Sequence, residues 1–451
     1  MLSLLGFAMV IVFMTLIMTK RASPLVALIG VPIVFALFAG FAGKELNTMM
    51  LEGIRLLAPT GVMLMFAILY FGIMIDAGLF DPVVNRILRS VDNDPMKVVV
   101  GTALLASVVS LDGDGSTTYM ITVASMLPLY QRLRMNALNL TCVTILAGGV
   151  MNLTPWGGPL ARAATGLHVD PSAVFTPMLP VMAIGIIGVF GLAYMLGMRE
   201  RRRLGPLTLS PPVLAAGAAV ESSPPLHSDI AGSDVHATPG RDATSLKRPG
   251  RRWFNAALTV ALIVGLITGA LPLPVLFMLA FAIALVCNYP QLPAQRERIA
   301  AHAGNVIAVV SLIFAAGIFT GILTGTGMVK AMSASFLALV PAAWSPYLAT
   351  ITALASMPFT FFISNDAFYY GVLPVISEAA ATAGIAPEAM ARAGLIGQPV
   401  HLLSPLVPST YLLVGLAGVD FGDHQKFTLK WAVAICLLML VAAIVFGSFP
   451  L

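Results

Sequence analysis

The chain is poor in charge. Only 45 of its 451 residues are Asp, Glu, Lys or Arg, while 58% are hydrophobic; soluble domains carry about a quarter charged residues. With a mean hydropathy of +0.93, this excludes a soluble globular protein, a disordered chain and a nucleic-acid binder. Cysteine is scarce as well. Cys142, Cys287 and Cys436 each sit inside an apolar run without C-x-x-C spacing, so neither a disulfide framework nor a thiolate metal cluster is implied. The six histidines show no H-x-x-x-H or H-E-x-x-H pattern. No basic segment precedes the first apolar run; Lys20 and Arg21 follow it instead. That is the reverse of a cleavable signal peptide, and it predicts a retained first span with its N-terminus outside.

The charges that are present cluster. Residues 198–252 hold 14 of the 45, and the other 396 residues carry about 8%. The fold class expected is an all-α polytopic membrane protein. Apolar runs of about 20 residues, long enough to cross a bilayer, lie at 2–19, 24–42, 57–75, 137–168 and 173–197. Five more lie at 253–271, 273–288, 304–325, 386–418 and 427–449. Two further apolar pairs, 97–111/116–130 and 344–363/367–382, are interrupted by the polar tips Leu111–Ser116 and Ser364–Asp366. Such pairs read as re-entrant hairpins, since irregular backbone at membrane depth must line a cavity or be buried in protein. With the N-terminus outside and both hairpins re-entrant, twenty basic residues fall inside and four outside, as the positive-inside rule requires. The C-terminus is then outside and the linker 198–252 cytoplasmic, in a bacterial-type inner membrane.

The linker separates two halves, 1–197 and 253–451, of similar plan. Gly72–Gly78 matches Gly321–Gly327, Thr102-Ala103-Leu104 matches Thr352-Ala353-Leu354, and Leu127-Pro128 matches Leu373-Pro374. Leu153-Thr154-Pro155 matches Leu403-Ser404-Pro405, and Asp170 and Asp420 each follow their proline by fifteen residues. Order and near-constant spacing make this an internal repeat. Each half has five crossings plus a hairpin; five is odd, so the two copies are inverted.

Intramembrane carboxylates are expensive and therefore candidates for function. Asp112, Asp114 and Asp366 are the acids placed at hairpin tips. A tip sets a helix C-terminus, which favours cations, beside a helix N-terminus, which favours anions. Gly115, Ser116 and Thr117 at the first tip, and Ser364 and Asn365 at the second, offer backbone N–H groups, hydroxyls and an amide there. The plainer role for the aspartates is helix capping in hydrated loops. The run 137–168 is broken by prolines 155 and 159 around Gly157 and Gly158. That frees backbone groups near Asn152 and Thr154 to meet a ligand; in the second half the matching break offers His401, Ser404 and Ser409. Two broken helices beside two polar tips predict a central binding site at the membrane midplane.

Arg162 is the basic residue assigned to a span. Three roles fit it: partner for a substrate carboxylate, partner for a tip aspartate, or a cation reaching the outer interface. His401 fits either a group titrating near neutral pH or an ordinary hydrogen-bonded histidine. Asp76-Ala77-Gly78 with the Gly-Asp-Gly tip also allows an intramembrane aspartyl protease, which leaves the repeat unexplained. Paired, inverted sites favour alternating access over a channel.

The motifs also resemble a known family, the CitMHS citrate–metal symporters of the ion transporter superfamily. The resemblance rests on Thr19-Lys20-Arg21 with Ser23–Leu28, Gly72–Asp81, Leu111–Tyr119, Pro155–Pro159, Ser364–Tyr369 and Gly397–Ser409, and covers the chain outside 205–250. It implies uptake of citrate as a complex with a divalent cation, Mg2+ or Ca2+, coupled to protons, with no permanently bound cofactor. It further implies a dimerising scaffold and a mobile domain moving as an elevator. Related dicarboxylate carriers place Ser-Asn-Thr at both tips, whereas these tips carry extra acids. Asp112, Asp114 and Asp366 then suit a metal or a proton, and sodium coupling is put in doubt. A sodium- or proton-coupled di- or tricarboxylate carrier without a metal requirement is the alternative. Free citrate carries about −3 and its divalent complex about −1, which lowers the desolvation cost at the midplane.

Overall fold

A computed structural model describes residues 2–19, 21–91, 94–113, 115–204, 246–268, 270–338 and 341–450. Asp114 and most of the linker lie outside the described residues. Among the described residues the structure is helical, with no strand.

The first half begins with α1 (Leu2–Met18), α2 (Pro24–Phe38) and the long α3 (Gly43–Asp76), followed by the short α4 (Asp81–Ser90). α5 (Pro95–Val109) and α6 (Gly115–Arg132) form the first hairpin. α7 (Ala137–Met151) and α8 (Gly158–Leu167) are the halves of a broken helix, and α9 (Pro171–Phe175) leads into α10 (Leu179–Leu204). The second half runs α11 (Arg252–Thr268), α12 (Leu273–Asn288), α13 (Leu292–Gly325) and α14 (Met328–Leu337). Its hairpin consists of α15 (Leu348–Phe362), a π turn (Ala367–Val372) and α16 (Leu373–Ala381). The broken segment comprises α17 (Pro387–Leu395), α18 (Gln398–His401) and α19 (Pro408–Ala417), and α20 (Phe421–Val445) closes the fold.

Among the described residues five stretches are long and apolar enough to cross a membrane: Gly43–Asp76, Pro95–Asp112, Pro171–Leu204, Leu292–Gly325 and Phe421–Val445. Shorter apolar helices surround them. Large apolar side chains point outward from the bundle, Trp253, Phe38 and Val445 among them. In water such a surface would be an aggregation liability; in a bilayer it is the solvated face.

The sequence places a span at 57–75, but α3 begins at Gly43 and has 34 residues. At 1.5 Å per residue it is about 51 Å long, well beyond a hydrocarbon core of about 30 Å. Hydropathy marks the apolar slab, whereas the helix continues through Lys44, Glu45, Glu52 and Arg55 because good helix formers fill that stretch. α13 also has 34 residues. α4 and α14, ten residues each, occupy what the sequence reads as connections.

Around Gly53, Gly317 and Gly321, α3 and α13 meet backbone against backbone. A Cβ added to Gly53 would lie 2.0 Å from the Gly317 carbonyl oxygen and 3.0 Å from the Gly321 Cα; one added to Gly72 would lie 2.7 Å from the His302 ring. The early part of α3 thus meets the late part of α13 and the reverse, so the two run antiparallel. Left-handed residues recur in the two halves: Gly78 and Gly327, Arg134 and Gly384, His168 and Gly418, each pair 249 or 250 positions apart. Asp170 and Asp420 both cap helices, accepting from the Ser172 and Asp423 amides at 2.7 and 3.0 Å.

The chain after the linker is docked against these helices. The Arg248 amide donates to the Ala77 carbonyl (3.0 Å), and its guanidinium donates to the Asn288 carbonyl (2.9 Å) and covers the Tyr289 ring. Lys247 pairs with Asp81 at 2.7 Å. Burial pushes the Tyr289 phenol up to about 12, so it stays a neutral donor to the Leu246 carbonyl.

Candidate functional site

The first tip is built by a break in helical backbone. α5 tightens into a 3-10 turn at Ser110–Asp112 and reverses at Gly113, whose φ of 78° is left-handed. Asp112 ends that turn and is buried. The turn is held against the first broken helix, because the Trp156 indole donates to the Leu111 carbonyl at 2.8 Å. A Cβ on Gly113 would meet the same indole at 2.9 Å. Thr118 donates to the Ser110 hydroxyl at 3.2 Å, fastening the first turn of α6 to the tip. Ser116 and Thr117 lie on that turn, and Gly115 opens it.

The break at 152–157 is a compact turn. Asn152 caps α7, its amide bonded to the Gly148 carbonyl at 2.8 Å. Gly157 is the N-cap of α8, and a Cβ there would lie 2.1 Å from the Asn152 carbonyl oxygen; only glycine closes this turn. Thr154 is buried, and its hydroxyl has no hydrogen-bond partner among the described residues. Gly158 serves the side chain that follows: a Cβ there would meet Arg162 Nη1 at 2.7 Å. The missing methyl lets the guanidinium fold back over the first turn of α8.

From that position Arg162 Nε donates to Asp366 Oδ1 at 2.6 Å. Of the three roles the sequence allows Arg162, the structure thus displays the pairing with a tip aspartate. The bond joins a half-helix of the first half to the hairpin tip of the second. Both side chains are largely buried, 23% and 11% exposed.

The second tip is organised by a residue the sequence reading did not select. Gln398 is fully buried, and its amide nitrogen donates to Asn365 Oδ1 (3.2 Å) and to the Tyr369 hydroxyl (2.6 Å). Tyr369 in turn donates to the Gly394 carbonyl at 3.2 Å. Its own carbonyl lies against α8, where a Cβ on Gly166 would approach it to 2.2 Å. Ser364 accepts from the Ala367 amide at 3.2 Å, capping the π turn; π segments recur at functional sites. The one cue to Gln398 in the sequence is an amide between Gly397 and Pro399 inside an apolar run.

His401 is buried and donates through Nδ1 to the Thr360 carbonyl at 2.6 Å, fastening the second break to α15. Ser404 is buried and accepts from the Leu406 amide at 3.2 Å, so its hydroxyl stabilises the turn itself. Ser409 faces the first tip: a Cβ on Gly115 would sit 3.7 Å from its Oγ. The two breaks therefore exchange partners. α8 packs on the second hairpin and α19 on the first.

The sequence-selected residues thus fall into three sets. Gly158, Arg162, Asn365 and Asp366 meet at the second tip, with Ser364 beside them. Gly115, Ser116, Thr117 and Ser409 meet at the first, near Asp112. Asn152, Thr154, Gly157, His401 and Ser404 build the two breaks. Among the described residues no group of three His, Cys, Asp or Glu side chains is gathered as a metal site.

Away from the tips, Asp76 accepts from His302 Nε2 at 2.9 Å and from Arg298 Nη1 at 3.4 Å. This joins α3 to α13 and is part of their crossing; among the described residues no second aspartate is paired with Asp76 in the manner of a protease dyad.

Residues 13–397 match the family model described as CitMHS, citrate transporter. A Bacillus subtilis (strain 168) protein named "Citrate transporter" is 58% identical over 447 residues, 99% of both chains. A second from that organism, "Mg(2+)/citrate complex secondary transporter", is 52% identical over 450 residues, again 99% of both. In fold, the chain is similar to the Alcanivorax borkumensis YdaH transporter crystal structure, with TM-score 0.53 and 17% identity over 90% of this chain and 89% of that one.

Proposed function

Since the chain belongs to the CitMHS citrate transporter family, we propose that it carries citrate across a membrane as a complex with a divalent cation, in symport with protons. As a member of that family it is a transporter and not an enzyme, which removes the aspartyl protease from consideration. Transport of citrate is what one relative's name states, and a Mg2+–citrate complex is what another's states.

The observation that carries the reading is the Arg162–Asp366 pair, a cation and an anion 2.6 Å apart where a half-helix meets a hairpin tip. A metal–citrate complex has a cationic pole and an anionic rim, and this pair offers a partner to each: Asp366 for the metal end, Arg162 for a carboxylate. Free citrate would engage Arg162 but meet repulsion from Asp366. Asn365, held by Gln398, and the N-terminus of α8 supply further donors. Asp112, and Asp114 beyond the described residues, fit the proton or metal role at the first tip.

Alternating access by an elevator movement of the hairpins and broken helices is part of the proposal, as is an inverted repeat. Equal lengths of α3 and α13, recurrent left-handed residues, the exchanged packing of the breaks and antiparallel crossing support the repeat. The distribution of basic residues supports termini outside and linker 198–252 inside. We also propose a homodimer in the bilayer.

The test is labelled citrate uptake into proteoliposomes across Mg2+, Ca2+ and heavier divalent ions, with and without an inward proton gradient. Uptake that requires a divalent ion and rises with the gradient is the expected result. Uptake indifferent to both would replace this reading with a metal-independent tri- or dicarboxylate carrier.

A further inference from the structure

Between α4 and α5 lies a groove of about 490 Å3, well away from the hairpin tips. Its walls are Val83 and Ile87 from α4 and Val100 and Leu104 from α5, and two cations, Arg86 and Lys97, line it as well. The close approach of the helices is set by Gly101, where a Cβ would lie 3.0 Å from Val91 and 3.1 Å from Ile87. Large apolar side chains on its walls are open to the outside, Val83 and Leu104 being 36% and 41% exposed.

Among the described residues the cations lack counter-charges. The described acids at the adjoining helix ends are committed elsewhere: Asp81 to Lys247 at 2.7 Å, and Asp94 to the Met96 amide at 3.0 Å, with Arg201 at 3.9 Å. Among the described residues neither Arg86 nor Lys97 has an ion-pair partner. The Ser90 hydroxyl, also in the groove, is turned back to the Arg86 carbonyl at 2.8 Å.

We infer that this groove binds an anionic phospholipid, its acyl chain along Val83, Ile87, Val100 and Leu104 and its phosphate against Arg86 and Lys97. Hydrocarbon walls match the chain, and two exposed cations, without an ion-pair partner among the described residues, match the headgroup charge. A soluble anion would gain the cations but nothing from the walls, and a zwitterionic lipid would gain the walls but no net charge.

The test is native mass spectrometry of the full chain in detergent, titrated with phosphatidylglycerol or phosphatidylcholine of matched chains. The wild type is expected to retain phosphatidylglycerol in preference. Arg86→Gln/Lys97→Gln should bind it about 30-fold more weakly, the equivalent of about 1 kcal/mol per cation, with phosphatidylcholine binding unchanged. Leu104→Trp, which fills the groove from its exposed side, should weaken both lipids. These positions are exposed, so the variants are expected to keep the wild-type melting temperature. Equal retention of the two lipids by the wild type, or unaltered phosphatidylglycerol retention in the double variant, overturns the inference. So does displacement of the lipid by equimolar inorganic phosphate, which would mark a plain anion site.

Discussion

Arg162 and Asp366, 204 positions apart in the chain, hold each other across the boundary between a broken helix and a hairpin tip, Nε to Oδ1, at 2.6 Å. Neither charge is stable alone in so buried a position. Removing one partner of a fully buried pair costs about 3–5 kcal/mol, mostly because the other charge is left uncompensated. Here the residual exposure of Arg162 brings that to about 1–3 kcal/mol. Arg162→Gln and Asp366→Asn should each lower the melting temperature and reduce citrate uptake more than tenfold. Arg162→Gln/Asp366→Asn should recover the melting temperature while uptake stays lost. Thermal denaturation beside vesicle uptake separates the two effects.

Gly158→Ala and Gly157→Ala are adjacent substitutions with different expected outcomes. At Gly157 the methyl would strike a backbone carbonyl 2.1 Å away, and backbone cannot yield without opening the turn. That variant should express poorly or melt early. At Gly158 the methyl meets the end of a flexible side chain, Arg162 Nη1 at 2.7 Å. It should fold normally and push the guanidinium from Asp366, reproducing the transport loss of Arg162→Gln. Gly158→Ala with wild-type uptake would show that the folded-back arginine is not needed.

Gln398→Leu tests the second tip without touching a charge. It removes two hydrogen bonds from one buried amide, at about 1 kcal/mol each. The expected result is a folded protein whose apparent KM for citrate, measured with Mg2+ present, rises about tenfold, because Asn365 and Tyr369 lose the group that fixes them. Gln398→Glu should be worse, since a carboxylate cannot donate to Asn365 Oδ1 and brings a charge into a fully buried position.

Asp76→Asn addresses the crossing of α3 and α13. Its partners Arg298 and His302 are part of that crossing and not of the tips, so it should lower thermal stability. Substrate affinity measured by calorimetry should stay within about twofold of wild type, as for distant, independent sites.

Much of the candidate site was legible as punctuation. Asp-Gly-Asp-Gly-Ser at 112–116 and Ser-Asn-Asp at 364–366 mark tips because polar residues inside apolar runs are costly. Prolines 155 and 159, and 405 and 408, mark breaks because they remove amide donors. Partnership was legible only as an option: the sequence allows Arg162 a tip aspartate as partner, but nothing in one sequence encodes which aspartate it faces across 204 positions. Gln398 stayed hidden because one neutral amide scarcely alters hydropathy. His401 and Ser404 stood out for their chemistry, and in the fold that chemistry stabilises backbone. Helix ends were the weakest part, since the apolar slab sets the signal; α3 continues through Lys44 and Arg55 beyond it.

The contact of Gly53 with Gly317 and Gly321 has a mechanical consequence. Where helices meet through side chains, rotamers can readjust and one helix can creep along the other. Here backbone rests on backbone, and any travel of α3 along α13 would drive a carbonyl into the opposite chain. The crossing is therefore a fixed bearing. In the proposed elevator movement, displacement of a hairpin is taken up in its connections to the bearing, so stiffening those joints should arrest the carrier without touching its ligand.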